Sequence, residues 1–313
     1  MTMTKAEAAP SRGLTQRLWG NAYRLLVLTT LMWAGNAIAS RLAVGNIPPM
    51  ALTSLRWVAV CAVMPFLLRR ELVQYWPAMK ARWGFMLAMG VLGFTGFNTL
   101  MYMAAYSTTA INIGILQGSI PVFVLIGAFV VHRMRIGAAQ ALGVAVTLAG
   151  VVVVASRGDY HVLTQLAFAF GDIWMILACV LYAAYTVGIR SRPAMPGLVF
   201  FTALAIVACV ASWPLLAFEI ASGRGYWPTL EGWLILAFVV VCPSLASQIF
   251  FLRAVDLIGP GRAGVFVNLV PVFAPLLAVL IVGEHLAPYH AVALLLVLGG
   301  IFIAERLGNR RPR

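Results

Sequence analysis

Apolar stretches of about 20 residues recur along the chain, separated by short polar or basic segments. Ten of them are long enough to cross roughly 30 Å of hydrocarbon as a helix. Each is expected to be helical, because in lipid every backbone amide needs an internal partner. The pattern therefore predicts an all-α integral membrane protein with ten transmembrane helices. The predicted spans are Tyr23–Val44, Met50–Leu68, Trp83–Tyr106, Thr108–Val131, Ala138–Ser156, Asp172–Arg190, Gly197–Phe218, Gly232–Arg253, Arg262–Gly283 and Pro288–Ala304.

The second half of the chain repeats the first in register, so that Pro271 falls on Pro121 and Gly264 on Gly114. Each half holds five predicted spans, which is an odd number, so the second copy must enter the bilayer from the opposite side. The sequence therefore predicts two inverted five-helix repeats. The predicted division is an N-terminal segment at 1–20, a first repeat at 21–156, a linker at 157–171, a second repeat at 172–304 and a basic tail at 305–313.

Prolines fall near the middle of several predicted spans, and one pair occupies matching places in the two repeats. Proline removes a backbone hydrogen bond and clashes with the preceding turn of a helix. Inverted repeats with interrupted helices are typical of secondary transporters, whose substrate site lies near the bilayer midplane. A plain kink in a packed bundle is the alternative for each proline. The predicted helix breaks are Pro121, Pro243, Pro271 and Pro275.

Composition and charge agree with a membrane protein and disfavour a nucleic-acid partner. Hydrophobic residues make up 62% of the chain and charged residues 10%, with a mean hydropathy of +0.95. The net charge is +13, but eighteen of the 22 Lys and Arg residues fall on one predicted membrane face. The opposite face receives only Arg41, Arg157 and Arg224. By the positive-inside rule this asymmetry predicts cytoplasmic termini, with the lipid bilayer as the partner of the basic excess.

Few residues offer reactive chemistry within the membrane. All nine Asp and Glu residues lie outside the predicted helix midpoints, which leaves no evident proton-binding carboxylate and no counter-ion for a cationic drug. The four histidines lie in or beside turns, and the four cysteines lack CxxC spacing, so no metal or cofactor is predicted. Neither a nucleophile with a base nor paired carboxylates are visible, so the chain is not expected to be an enzyme.

Neutral amides, hydroxyls and aromatic rings remain as the candidate lining of an uncharged pocket between the repeats. Aromatic faces can stack on an apolar group or attract an ammonium, and amides and hydroxyls can bind a polar end. For each amide the alternative is a hydrogen bond between helices, worth about 0.6 kcal/mol. The expected substrate is a neutral or zwitterionic solute with an apolar part. The candidate substrate-binding residues are Trp33, Asn36, Asn98, Tyr102, Gln117, Tyr182, Tyr185, Ser244, Gln248 and Asn268.

Arg56 is the only charged residue well inside a predicted span. A charge at the bilayer centre costs about 2.5 to 3.5 kcal/mol on insertion scales. Arg56 lies nearer the outer end of its span. Snorkelling to that surface, or capping of backbone carbonyls, is therefore favoured over substrate binding.

Three runs carry a family likeness: LMWAGNAIASRLA with MALTSLRWV, then GDIWMILACVLYAAYTVGIRSR, and finally FFLRAVDLIGPGRAGVFVNLVPVFAPLLAVLIVGEHLAPYH. They resemble the EamA-type carriers of the drug/metabolite transporter superfamily. One departure is a turn in which His132-Arg133 stands where the second half has Gly283-Glu284. The resemblance implies ten helices in two inverted five-helix repeats that move small metabolites by alternating access. The chain is most similar to bacterial aromatic amino-acid exporters, which implies amino-acid export across the inner (plasma) membrane.

Several functions remain open from the sequence. The first is a carrier that exports amino acids or similar amphipathic metabolites. A variant of this function is an exporter of the same fold that moves a drug or another metabolite. A narrow pore and a non-transporting scaffold are the others. Saturable, trans-stimulated exchange indicates a carrier, whereas linear flux indicates a pore. A scaffold predicts that alanine at Trp33, Tyr102 or Gln248 changes stability but no transport. The protein is expected to be a monomer.

Overall fold

A computed structural model describes residues 19–133, 137–165 and 168–304 of the chain. Every regular element within these ranges is a helix, and none of them is a strand. Most of the predicted N-terminal segment, the predicted basic tail at 305–313 and residues 134–136 of a predicted basic turn lie outside the described residues.

Nine helices in the described ranges are long and apolar enough to cross a membrane, and Pro288–Phe302 is a shorter apolar helix. Most bounds agree with the predicted spans to within a few residues. The long helices are α1 Ala22–Leu42, α2 Pro49–Leu67, α4 Trp83–Ala104, α5 Ala110–His132, α6 Ala138–Ala155, α8 Phe170–Ile189, α9 Gly197–Ala221, α10 Leu230–Ile258 and α11 Arg262–Val282. The shorter helices are α3 Arg69–Ala81, α7 Tyr160–Thr164 and α12 Pro288–Phe302.

The helix α3 was not predicted, because its sequence was interpreted only as a basic connection. Glu71 in its first turn and Lys80 in its last turn complement the helix dipole. Met79 is buried, whereas Val73 and Trp76 are exposed. The helix therefore lies on the surface of the bundle with one apolar face against the core, where it also places the partly buried Leu72, Tyr75 and Ala78.

The connections between the long helices alternate between two ends of the bundle. We call the end on which α1 begins the basic end; the connections from α2 to α4, α5 to α6, α8 to α9 and α10 to α11 also lie there. The opposite end carries residues 43–48, 105–109, 222–229 and 283–287. Thr109 and Thr229 begin α5 and α10 at the opposite end by accepting hydrogen bonds from backbone N–H groups three residues on. Gly283 ends α11 with a φ of 74°, which favours glycine.

Four of the long helices are irregular. α4 and α10 each contain a π-helical segment, at Val91–Gly96 and Val240–Ala246. α5 is interrupted at Gly118 and Ser119, and α11 has a 3-10 segment at Phe266–Leu269 followed by a π-helical segment near its end. Interruptions of this kind are frequent at functional sites.

The predicted prolines lie at or beside most of these irregular segments. Pro121 and Pro271 occupy the first turn of the helical segment that follows an interruption, where a missing N–H leaves no bond unmade. Pro243 lies inside the π-helical segment of α10. The irregularity of α4 contains no proline. There the absence of a Cβ at Gly93 lets the ring of Tyr185 approach α4.

Seven helix pairs make the most extensive contacts in the bundle, and each pair joins one half of the chain to the other. The pairs are α1 with α10, α1 with α11, α2 with α9, α4 with α8, α5 with α8, α5 with α11 and α6 with α12. The two halves are thus interleaved, and the buried core is formed by residues from both.

The helices α6 and α12 approach closely because small residues face each other. A Cβ at Gly143 would lie 2.5 Å from the carbonyl oxygen of Gly300, and one at Gly300 would lie 2.6 Å from that of Gly143. Thr147 donates a hydrogen bond of 3.5 Å to the carbonyl of Val297 between them. Small residues permit such backbone approach in membranes, so this pair forms a rigid edge of the bundle.

Candidate functional site

A cavity of about 1160 Å³ lies between helices of the two halves. Toward the basic end its lining includes the exposed residues Arg192, Pro260 and Gly264. Toward the opposite end the lining stops at the buried residues Asn36 and Arg56. The cavity is therefore open at the basic end and closed at the opposite end.

Two carboxylates close the opposite end by capping helices of the other half. Glu219, at the end of α9, accepts hydrogen bonds from the backbone N–H groups of Met50 and Ala51 at 3.0 and 2.9 Å. Glu284, just after α11, accepts from the N–H groups of Ala110 and Ile111 at 2.8 and 2.9 Å. A carboxylate at a helix N-terminus is favoured by the free N–H groups and by the helix dipole. Both caps therefore hold the two halves together.

A buried polar cluster adds to the closure. Asp172 accepts hydrogen bonds from the hydroxyl of Thr108 at 2.5 Å and from the amide of Asn112 at 3.2 Å. The oxygen of Asn112 lies 3.2 Å from Nε2 of His290, which is buried in the first turn of α12. His290 was expected only in or beside a turn, and Asp172 only outside a helix midpoint, but the fold brings both into one buried network.

Contacts between loops complete this end of the bundle. The backbone N–H of Thr229 donates to the carbonyl of Asn46 at 2.9 Å, and its hydroxyl donates to the Asn46 side chain at 2.7 Å. The hydroxyls of Tyr106 and Tyr226 lie 3.4 Å apart. Desolvation, followed by the bond to Tyr226, raises the pKa of the Tyr106 phenol, so this hydroxyl stays protonated at neutral pH.

Most of the candidate residues predicted from the sequence line the cavity. Trp33 is held there, because its indole Nε1 donates to the hydroxyl of Ser247 at 3.0 Å and its ring packs against Phe251. Gln117 donates to the carbonyl of Ile113 at 3.3 Å, which orients its amide. The candidates in the lining are Trp33, Asn36, Asn98, Gln117, Tyr182, Tyr185, Gln248 and Asn268, together with the helix-breaking Pro121 and Pro243.

Tyr102 and Ser244 do not line the cavity, although they were predicted to do so. Both are buried behind it, with exposed fractions of 1%, and both bind Arg56. Pro271 and Pro275 are also outside the lining and pack against Gly118 and Gly114 of α5. These prolines therefore shape the contact between α5 and α11 and do not contact the cavity.

Arg56 lies in the cavity wall, and its interpretation as a snorkelling or carbonyl-capping residue is wrong. Its side chain is buried, and its Nε donates to the hydroxyl of Ser244 at 2.7 Å. Its Nη1 donates to Asn98 Oδ1 at 2.5 Å and to the Tyr102 hydroxyl at 2.8 Å. The prediction of an uncharged pocket is corrected with it, because Arg56 and Arg192 both line the cavity. Among the described residues of the lining there is no Asp or Glu.

Aromatic rings form a continuous wall beside this guanidinium. Trp57 stacks on Phe94 with ring centroids 4.8 Å apart, and the Arg56 guanidinium carbon lies 4.9 Å from the Trp57 centroid. Tyr182 then contacts both Phe97 and Tyr185, with centroids 4.9 and 5.4 Å apart. The sequence did not single out Trp57, Phe94 or Phe97, because an aromatic residue in an apolar span can equally face lipid.

The arrangement favours the binding of a solute. The lining combines one fixed cation, several amides and a large aromatic surface, which suits a small solute with one polar and one apolar end. In the part of the chain that the structure describes, no group of three His, Cys, Asp or Glu residues lies close enough to hold a metal ion.

The EamA-like transporter family matches the chain twice, at residues 21–156 and 169–305. The chain therefore belongs to the EamA-like transporter family. It is a multi-pass membrane protein that acts on a small-molecule substrate in the lipid bilayer. The family and the relatives described next are transporters, which agrees with the expectation that the chain is not an enzyme.

Relatives of similar length support the same class. The uncharacterized transporter YyaM of Bacillus subtilis (strain 168) is 22% identical over 305 residues, covering 91% of this chain and 93% of that protein. YetK of the same strain, also an uncharacterized transporter, is 24% identical over 292 residues, covering 90% and 86%. An uncharacterized transporter of Archaeoglobus fulgidus is 25% identical over 289 residues, covering 89% and 95%. A solved crystal structure shares the fold with a TM-score of 0.61 at 22% identity, covering 93% of this chain and 99% of that one.

Proposed function

We propose that this protein is an inner-membrane secondary transporter that exports amino acids, aromatic or neutral ones above all, or related amphipathic metabolites, by alternating access. The observation that carries the proposal is a cavity open at one end, closed at the other and lined by aromatic rings, amides and one buried guanidinium. A carrier needs such a cavity, because its substrate must reach a central site from only one side at a time.

An inverted repeat supports alternating access. In the proposed division, residues 21–156 form the first five-helix unit, 157–171 a periplasmic linker and 172–304 the second unit. If the halves are exchanged, α1 with α10 becomes α8 with α4, and α1 with α11 becomes α8 with α5. The other three extensive pairs map onto themselves. This invariance is expected of two related units that cross the bilayer in opposite senses.

The orientation follows from charge. The basic end carries the excess of Lys and Arg, which favours the cytoplasmic side, and we propose that both termini lie there. In this orientation the structure is an inward-open state, and the contacts of Glu219 and Glu284 close the periplasmic side. Export then requires that these contacts break after a solute has entered from the cytoplasm.

The lining favours a solute with a compact polar group and an apolar or aromatic part. The rings of Trp57, Phe94, Phe97, Tyr182 and Tyr185 provide a surface for stacking, worth about 0.5 to 1.5 kcal/mol per ring pair beyond burial. A cationic drug fits less well, because the described lining holds two arginines and no carboxylate. In a variant of this proposal, the exported solute is another amphipathic metabolite and not an amino acid.

A panel of labelled solutes in proteoliposomes tests the proposal. We expect saturable flux of phenylalanine, tryptophan or a neutral aliphatic amino acid, and no flux of a lipophilic cation. Measurements with and without a proton gradient identify the coupling. Absence of flux for every amino acid would end the amino-acid proposal, and flux that stays linear with concentration would favour a narrow pore. A protein with alanine at Gln248 that loses stability but keeps full flux would remove Gln248 from the binding site. A scaffold would be favoured if the wild-type protein moved no solute of the panel.

A further inference from the structure

The cavity wall contains a positive charge that no acidic side chain balances. Arg56 is 5% exposed, and the three hydrogen bonds of its guanidinium go to Ser244, Asn98 and Tyr102, none of which is acidic. A buried charge is costly unless an opposite charge or hydrogen bonds compensate it. Hydrogen-bond acceptors satisfy part of this requirement, and a counter-ion is missing from the described wall of the cavity.

Three helices hold the guanidinium in one place. The Ser244 hydroxyl, which accepts from Nε, itself donates to the carbonyl of Val239 at 2.6 Å across the π-helical segment of α10. Asn98, which accepts from Nη1, donates through its amide to the carbonyl of Phe94 at 2.6 Å. The irregular segments of α10 and α4 thus orient two acceptors toward a residue of α2. Such preorganisation is what a binding residue requires.

The hydrogen bonds leave one side of the guanidinium available. Nε and Nη1 are engaged, whereas no bond of Nη2 to a described residue is formed, and Arg56 lines the cavity. The guanidinium presents a planar fork that matches the two oxygens of a carboxylate. The aromatic wall begins immediately beside it, since Trp57 lies under the guanidinium and stacks on Phe94.

We infer, on the basis of the proposed export function, that Arg56 binds the carboxylate of the transported solute. The substrate class is a small organic acid or zwitterion in which one carboxylate is linked to an aromatic or apolar group. Arg56 supplies the charge, Ser244, Asn98 and Tyr102 fix its position, and the rings from Trp57 to Tyr185 receive the apolar part. Esters, amides and amines of the same skeleton lack the anion and bind more weakly.

Equilibrium binding to the purified protein tests this site without any transport. The probes are phenylacetate, its neutral counterpart phenylacetamide, and the cation phenethylamine, measured by calorimetry. We expect the wild-type protein to bind phenylacetate at least about ten-fold more tightly than phenylacetamide, since truncating one partner of a buried charge pair costs well over a ten-fold factor. Arg56→Gln should lose this preference, and Arg56→Lys should keep part of it, because an ammonium retains the charge but not the planar fork.

Arg41→Gln is the matched control, because Arg41 is a partly buried arginine that binds the carbonyl of Ala105 at 2.7 Å outside the cavity lining. Its preference for phenylacetate should equal that of the wild type. Ser244→Ala keeps the charge of Arg56 but removes the acceptor of Nε, and a loss of several-fold in phenylacetate affinity is expected. This variant tests the site even if Arg56→Gln fails to yield a monodisperse protein.

Equal affinity of the wild type for phenylacetate and phenylacetamide would overturn the carboxylate site, as would absence of binding by all three probes. A preference that persists in Arg56→Gln would overturn it as well. The export proposal fails separately: a protein that binds phenylacetate through Arg56 but moves no amino acid in proteoliposomes keeps the anion site and loses the proposed function.

Discussion

Glu284 is predicted to hold the opposite end of the bundle closed, and its replacement should open that end. The carboxylate accepts two backbone N–H groups in the first turn of α5, at 2.8 and 2.9 Å. A hydrogen bond to a charged group contributes about 1.5 to 3 kcal/mol, against about 0.5 to 1.5 kcal/mol for a neutral one. Glu284→Gln retains one neutral acceptor in place of two charged bonds. We therefore expect a loss of about 2 kcal/mol, which is roughly a 30-fold shift toward the open state.

Pulsed electron–electron resonance across the opposite end measures this shift. Spin labels at Ser107→Cys and Arg224→Cys report the separation of two loops, because both residues are exposed and lie in connections of different halves. The native cysteines Cys61, Cys179, Cys209 and Cys242 are replaced first, since all four are free. In the wild-type background one short distance should dominate, whereas Glu284→Gln should add a longer one.

Glu231→Gln is the matched control, because Glu231 is an exposed acid in the first turn of α10 at the same end. Its distance distribution should match that of the wild type. If Glu284→Gln also keeps the wild-type distribution, the carboxylate does not hold this end closed, and the reasoning from its two hydrogen bonds is wrong.

The remaining predictions concern the cavity, the packing and the orientation. Asn268→Asp adds a negative charge to the cavity, and it should abolish flux while leaving the melting temperature within a few degrees of the wild type. Gln117→Glu should behave in the same way. Normal flux by Asn268→Asp would remove Asn268 from the site. Gly300→Ala should lower the melting temperature, because its Cβ would lie 2.6 Å from the Gly143 carbonyl oxygen, whereas Gly299→Ala, with open space around its Cβ, should not. Reporter fusions after Arg192 and Arg224 should place the first on the cytoplasmic side and the second outside, and the reverse result would invert the proposed orientation.

The positions of the long helices could be predicted from the sequence, because lipid requires apolar side chains and internal backbone hydrogen bonds along a whole span. Helix α3 was missed for the converse reason. It is polar and lies on the surface, and no long apolar run marks it. Its contact with the core is made by a short apolar face of Met79 with the partly buried Leu72, Tyr75 and Ala78.

The candidate cavity was predicted in part, because hydropathy reports depth along a helix but not rotation about its axis. Tyr102 and Asn98 lie one turn apart on α4, yet Asn98 lines the cavity and Tyr102 lies behind it. The interpretation of Arg56 failed because its partners Ser244 and Asn98 come from other helices, one of them in the other half of the chain. The π-helical segments that orient these partners have no sequence pattern distinct from an ordinary kink, and in α4 they lack even a proline.

The role of two acidic residues in closing the opposite end also could not be predicted from the sequence. Glu219 and Glu284 were expected only to lie outside the helix midpoints, and their function depends on the helix starts that they meet after folding, at Met50 and Ala110. The sequence did contain one indication, since the turn with His132-Arg133 differs from its counterpart with Gly283-Glu284. Only the structure shows that Glu284 of the second turn is the carboxylate that caps α5 at the opposite end.

Counterflow in proteoliposomes is the most direct test of a cavity that opens to one side at a time. Vesicles loaded with unlabelled phenylalanine are diluted into a trace of labelled phenylalanine. They should accumulate the label transiently above equilibrium, because each cavity that carries labelled phenylalanine inward returns with unlabelled phenylalanine bound. Accumulation that only approaches equilibrium, at the same rate with and without internal phenylalanine, would contradict alternating access.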